Sequence, residues 1–446
     1  MQDFSKKKLG TIENDLETVK EIALQFTDLS GSFHTLWVPS EDFLTICEEG
    51  IHIDGSSFGV VDVSKSDIKL IPDINSLVVF PQDLFPQKVA RVICDLYQPD
   101  SNEPFEVDPR FVLKKVMKDI RETLGSSISG CASTEIEFFL FDKKIDGSIE
   151  LIDEGGYLAT PPADRGAELR LELADMFRKM GISIEKHHHE VPHGKSEFNL
   201  PYSEALRMAD TIYLIKFIIK LMVAKKGLIA SFMPKPFHGE YGAGLHTHIN
   251  LRDDEKNKNI FSNPESDYGL SQIALNFMAG ILIHAKALVG ITNPSVNSYK
   301  RLVPGWEAPV YISWANYNRS TLIRIPPGRK EAARLEYRPT DGSCNFYLAY
   351  AVLFAAGLDG IKRKIEPSPP IEENIYEMNK QERIDRGIEV LPGNLGDALK
   401  ELSKDSYLKS TLGGSFYKKY LAIKEQEWID FSVFVHEWER KRYLDV

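Results

Sequence analysis

The 446-residue chain is predicted to be an α+β protein of two unequal parts, a small strand-rich domain over 1–104 and a large mixed domain over 105–446. Three observations predict this. Short apolar runs broken by turn residues fill the first hundred positions, a polar segment (QPDSNEPFE, 98–106) interrupts them, and long helical periods then alternate with strands to the C-terminus.

In the small domain, strands are expected at 19–27, 32–38, 60–63, 68–71, 76–80 and 89–97, punctuated by Asp-Gly, Pro-Asp and Pro-Gln. After the polar segment, Asp108 and Pro109 provide an N-cap and a first-turn proline. Phe111, Val112, Val116, Ile120 and Leu124 recur at helical spacing, and Gly125 ends that helix. Further strands are expected at 133–141, 183–191, 196–200, 228–232, 245–251, 322–325 and 333–338. Helices are expected at 165–179, 203–226, 270–291, 343–363, 395–404 and 437–443.

Composition narrows the function. Lys+Arg number 54 and Asp+Glu 65, a formal charge of −11, which argues against unspecific attraction to nucleic acid or anionic lipid. Stretches 211–224 and 270–291 are apolar, but lysines, Gln272, Asn276 and His284 interrupt them, so both read as core helices rather than membrane spans. Cys47, Cys94, Cys131 and Cys344 show neither zinc-knuckle spacing nor a disulfide framework. Lys6, Lys7 and Lys8 precede no apolar stretch, so no secretory signal is expected and a reducing, cytoplasmic setting is the default.

The chemistry is concentrated on strands. Glu135 and Glu137 are two residues apart and share a strand face, with Ile136, Phe138 and Leu140 on the other. Phe139 and Phe141 continue the glutamate face, which is therefore expected to be partly enclosed. If His193-Gly194 is a two-residue hairpin turn, Glu190 lies opposite Glu197, an arrangement that destabilises a ladder unless a divalent cation sits between them. His246 and His248 share a face after a glycine-rich bend at 239–244. Arg334, Glu336 and Arg338 form a charged row opposite Leu335 and Tyr337, and burying it requires compensation by an anionic ligand and a cation. Arg301 and Glu307 lie on a proline-bounded loop, and Arg319 and Arg324 follow, a density suited to clamping phosphate or carboxylate.

Taken together these segments resemble type I glutamine synthetase. Ile53-Asp54-Gly55-Ser56-Ser57, Glu135-Ile136-Glu137-Phe138-Phe139, His188-His189-Glu190-Val191, Met233-Pro234-Lys235-Pro236, the run from Asn297 to Gly305, and Asn318-Arg319-Ser320 occur in the family's order across nearly the whole chain. The resemblance implies a β-grasp small domain and a bifunnel catalytic domain, with each site lying between neighbouring subunits of a two-ring homododecamer. It implies ATP and two or more Mg²⁺ or Mn²⁺ ions as cofactors, one held by Glu137, Glu190 and Glu197, another by Glu135, His246 and Glu336. Glutamate would be gripped by Arg301, Arg338, His246 and the Gly242 backbone. The transferring phosphoryl group would meet Arg319, Arg324 and Arg334, with His248 and Asn250 near the nucleotide. Asp54 and Ser57 from the adjacent subunit, with Tyr157, Glu190 and Glu307, would form the ammonium pocket.

The chain also departs from that pattern. Tyr241 stands where a small residue usually precedes the Gly-x-Gly-x-His run, and Asn250 replaces a serine. Glu331 replaces a lysine, and Lys195-Ser196 replace Gln-His or Gln-Asn beside a metal glutamate. The family's relatives that use other amines tend to lose the Asp-Gly-Ser-Ser segment, which is kept here, so ammonia is expected. A methylamine- or polyamine-using ligase and a silent nucleotide-binding sensor are the alternatives.

Overall fold

The computed structural model describes residues 16–306, 308–328 and 330–446. The small domain is a five-stranded sheet in the order β2-β1-β5-β4-β3 (β1 Glu21–Thr27, β2 Phe33–Pro39, β3 Ile51–Asp54, β4 Asp67–Val79, β5 Val89–Tyr97). β1 and β5 run parallel; the other neighbours are antiparallel. Two expected strands, 68–71 and 76–80, fall within the single strand β4, whose register on β5 shifts between Asp73 and Val78. The strand expected at 60–63 does not form. The carbonyl of Gly55 accepts from the amides of Phe58 and Val60, so the chain curls there instead. β3 and the preceding helix α1 (Phe43–Glu49) were not expected from the sequence.

Helix α2 (Pro109–Leu124) begins as its sequence dictates, with Asp108 capping the Arg110 amide, and ends at Gly125 with φ of 129°. On this helix, buried Arg110 ties the parts together: it reaches Asp73 and Asp95 of the small sheet at 2.8 and 2.6 Å and Asp210 of the large domain at 2.9 Å.

The large sheet has twelve strands among the described residues. Its main path is β17-β14-β15-β16-β12-β6-β9-β8, and β7, β10 and β11 pair with β6 and β13 with β12. These are β6 Ile128–Lys143, β7 Ile149–Leu151, β8 Lys186–His189, β9 Lys195–Asn199, β10 Ser203–Glu204, β11 Leu228–Ser231, β12 Leu245–Asp253, β13 Lys258–Asn259, β14 Tyr311–Ala315, β15 Thr321–Arg324, β16 Leu335–Tyr337 and β17 Glu389–Val390. One face of β6 packs Ile136, Phe138 and Leu140 into the main core, which also holds residues of the helices Ala205–Lys225, Gln272–Thr292 and Phe346–Arg363. The second of these is long and apolar enough to cross a membrane, yet 78% of its most apolar window is buried inside the protein, as a core helix requires. It crosses the third at Gly280 and Gly360, where an added Cβ would come within 2.1 Å of a backbone oxygen on the facing helix. On the other face of β6, Phe139 and Phe141 form a separate small cluster with Ala243, the enclosure expected from their alternation with the glutamates.

Candidate active site

Antiparallel pairing lays the functional side chains in rows across one face of the large sheet. β12 and β6 set His246 opposite Glu135. β6 and β9 set Glu137 opposite Glu197, and β9 and β8 set Glu197 opposite His188. β12, β16 and β15 set His248, Glu336 and Arg324 side by side. Because the side-chain period of a strand is two, these residues project together. They border a cavity of about 350 Å³ lined by Glu135, Glu137, Glu190, Glu197, Glu336, His188 and His246, with Arg301, Arg319, Arg324 and Arg338 around it.

The expected hairpin register is corrected. His193-Gly194 is not a two-residue turn. The Lys195 amide bonds the Pro192 carbonyl, Gly194 takes φ of 59°, and Glu190 pairs with Lys195 through the backbone. Glu197 therefore faces His188 in the hairpin rather than Glu190. The opposition of like charges lies on the other side of the strand, between Glu197 and Glu137.

Each carboxylate has a different electrostatic setting. Burial alone would raise the Glu135 carboxyl, but His246 and His248 donate to its two oxygens at 3.0 and 3.1 Å and hold it well below its usual range. Glu336 is fully buried. Arg338 at 2.8 Å and Arg324 at 2.5 Å, with the two histidines near, outweigh that burial and bring the carboxyl down to about 2. Glu137, equally enclosed, is brought to about 2 chiefly by Lys195, which donates to it at 2.8 Å, and its same oxygen accepts the Gly244 amide at 2.8 Å. Glu190 and Glu197 shift the opposite way. Burial raises both, and neighbouring carboxylates, Glu137 foremost for Glu190 and Glu135 for Glu197, add to it.

Two sets of donor atoms lie within 4.8 Å of one another on this face, Glu135–His246–Glu336 and His188–Glu190–Glu197. A third, Asp153–Asp164–His189, is consumed by the protein itself. Asp153 accepts from His189 and from the amides of Gly155, Arg165 and Gly194, while Arg170 pairs with Asp164.

Buried Arg301 is oriented by the carbonyls of Pro339 and Thr340 at 2.5 and 3.3 Å. The glycine bend is needed for this packing. A Cβ on Gly242 would lie 2.4 Å from the Pro234 carbonyl and 2.8 Å from Arg301 Cγ, and one on Gly244 would lie 2.5 Å from the guanidinium. Tyr157 borders the cavity and packs edge-on against His188. His248 Nδ1 and Asn250 Oδ1 are buried on β12 and find no partner among the described residues. Arg334 bonds the carbonyls of Pro327 and Ala332 and does not border the cavity. Nor do Asp54 and Ser57, which sit exposed at the end of β3, joined by a 2.6 Å hydrogen bond. Glu307 lies outside the described residues. Lys195 was noted in the sequence only as a departure, although its two-residue spacing from Glu197 already put it on the same face. The edge-on contact of Tyr241 with Trp306 at the cavity wall, centroids 5.5 Å apart, carried no sequence signal.

The chain is similar over nearly its whole length to proteins of one family. The family described as "Glutamine synthetase, catalytic domain" matches residues 106–443, and "Glutamine synthetase, beta-Grasp domain" matches 18–99. Among curated relatives, the glutamine synthetase of Thermotoga maritima is 46% identical over 96% of this chain and 97% of its own length. That of Thermus thermophilus is 44% identical over 96% of each chain. Among solved structures, a GmaS–ADP complex is 32% identical with a TM-score of 0.86, covering 98% of this chain and 99% of its own. The Plasmodium falciparum glutamine synthetase is 25% identical with a TM-score of 0.86 over 99% of both chains.

Proposed function

The chain belongs to the glutamine synthetase family, and from that premise we infer that it is an ATP-dependent carbon–nitrogen ligase joining ammonia to the γ-carboxylate of glutamate. The observation that carries the reading is the convergence of five carboxylates, two histidines and four arginines on one cavity. A carboxylate is a poor acyl donor, since its leaving group would be oxide, so the γ-carboxylate is first phosphorylated to a γ-glutamyl phosphate. Arg319 and Arg324 border the cavity and face the charge that develops during in-line transfer, and Arg334, just ahead of β16 and outside the cavity lining, would have to turn from the Pro327 and Ala332 carbonyls to join them.

The donor sets suit hard divalent cations, Mg²⁺ or Mn²⁺. Glu135, His246 and Glu336 would hold one ion, and Glu190 and Glu197 would anchor a second beside Glu137. When bound, the ions neutralise phosphate oxygens. His248 Nδ1 and Asn250 Oδ1, buried without partners, are suited to the nucleotide. Arg301, Arg338, His246 and the Gly242 backbone bind glutamate.

Asp54, kept ionised by hydrogen bonds from Ser56 and Ser57, would attract ammonium and accept its proton as the nitrogen attacks the acyl phosphate, with Ser57, Tyr157, Glu190 and Glu307 completing that pocket. Since Asp54 lies outside its own chain's cavity, it is supplied by a neighbouring subunit. Exposed Val433, Phe434, Val435, Trp438 and Leu444 near the C-terminus add apolar surface suited to assembly, proposed as a dodecamer of two hexameric rings. The four free cysteines favour a cytoplasmic setting.

The test is ADP release and product formation by the purified chain with ATP, Mg²⁺ and glutamate, with ammonium or methylamine in separate arms. Glutamine from the ammonium arm supports the reading. Turnover with methylamine alone, or with neither amine, refutes it.

A further inference from the structure

Lys195 lies in the middle of the carboxylate cluster. It is 5% exposed, and its ammonium donates to Glu137 at 2.8 Å and to the Gly242 carbonyl at 3.0 Å, with Glu190 at 3.9 Å. The oxygen of Glu137 that it meets also accepts the Gly244 amide. Glu137 therefore already has a cation, one that is covalently part of the chain. A divalent ion bound against the same oxygen would be placed next to a like charge. Across β9, by contrast, His188 stands directly opposite Glu197, with Nε2 3.6 Å from Glu190. The donor atoms of His188, Glu190 and Glu197 all lie within 4.8 Å of one another, and the other ring nitrogen, Nδ1, is buried without a partner among the described residues.

We propose that Lys195 removes Glu137 from the second metal site and that His188 takes its place, so that both divalent ions are held by two glutamates and one histidine. The inference rests on the two-ion reading above and changes its ligand chemistry. An imidazole in place of a carboxylate shifts a site from Mg²⁺ toward Mn²⁺ and other transition ions, because Mg²⁺ strongly prefers oxygen. The two sets then become equivalent: Glu135–Glu336 with His246, and Glu190–Glu197 with His188.

The experiment is Mn²⁺ titration of the metal-free full chain by calorimetry, followed by pulsed EPR of bound Mn²⁺ for nitrogen coupling, on wild type, His188→Gln and Lys195→Gln. Wild type should bind two ions, each coupled to an imidazole nitrogen. His188→Gln should weaken one ion by about tenfold or more and remove its nitrogen coupling, leaving the other unchanged. Lys195→Gln frees Glu137 and should raise Mg²⁺ affinity at that site by about tenfold, narrowing the Mn²⁺ preference. Unchanged affinity and coupling in His188→Gln overturns the inference, and so does unchanged Mg²⁺ affinity in Lys195→Gln. Circular dichroism on each variant separates these results from misfolding. Failure of the wild type to bind any ion would instead remove the two-ion reading itself.

Discussion

Glu197→Gln keeps the shape of a buried side chain and deletes one charge. In the metal-free protein Glu197 is directly opposite Glu137 and near Glu135 and Glu190, and burial together with these neighbours raises its carboxyl well above the usual value. Like charges directly opposed across strands cost about 0.2–1 kcal/mol. The variant should therefore be more stable than wild type without metal at pH 7.5, by about that amount. The sign of the pH dependence follows. A carboxyl whose folded pKa is raised stabilises the fold at low pH, and this contribution is lost as pH rises from the unfolded value through the folded one, so the variant should lack that decline. Metal reverses the order. An ion present at about 100 times its Kd stabilises the wild type by about 2.7 kcal/mol per site, and the variant, short of one ligand, gains less. Melting curves with and without Mg²⁺ check the crossover. A variant less stable than wild type in the absence of metal would refute the charge-opposition argument.

Three further outcomes are expected. Arg110→Met should destabilise by about 3–5 kcal/mol in urea unfolding, because it leaves Asp73 and Asp210 buried without their shared cation, while half-buried Asp95 keeps Lys114 at 2.5 Å. His284 sits between Asp405 at 2.5 Å and Asp359 at 3.1 Å, which outweigh its burial and raise it. Its stabilisation is full below about pH 6.5 and is lost as pH rises through the folded value, so the advantage of wild type over His284→Gln should shrink from pH 6 to pH 9 in thermal melts. Asp54→Ala should lower glutamine formation by about a hundredfold or more with no change in metal titration, and co-expression with Glu336→Gln chains should restore part of the activity if Asp54 serves a neighbour.

The sequence revealed faces better than it revealed partners. Alternation of Glu135 and Glu137 with Ile136 and Phe138 predicts which side meets the core, and the pairing with β12 and β9 keeps that assignment. The hairpin error left it intact as well. Moving Glu197's partner from Glu190 to His188 is a shift of two residues, which preserves the face and changes only the neighbour. Pro192 explains the slip, since its carbonyl accepts from Lys195 and the turn is longer than two residues. The helix Gly414–Val433 was missed because its apolar residues do not form one stripe: Phe416 and Tyr420 are buried while Ile429 and Val433 are exposed.

The cluster's directions of titration follow partners rather than depth. Glu137, Glu197 and Glu336 are each at most 6% exposed, yet two are held down and one is raised. Glu336 has two arginines, Glu135 two histidines, and Glu137 a lysine and a backbone amide. Glu197 has Glu137 on one side and His188 on the other, and burial pushes that imidazole toward its neutral form, with Lys186 and Arg170 adding to the effect. Glu190 accepts the Val191 amide, with Lys195 no closer than 3.9 Å. The uncompensated negative charge is thus confined to Glu190 and Glu197. A cation entering the cavity gains most there, beside His188, whereas at Glu137 it would have to displace a charge that the chain already supplies.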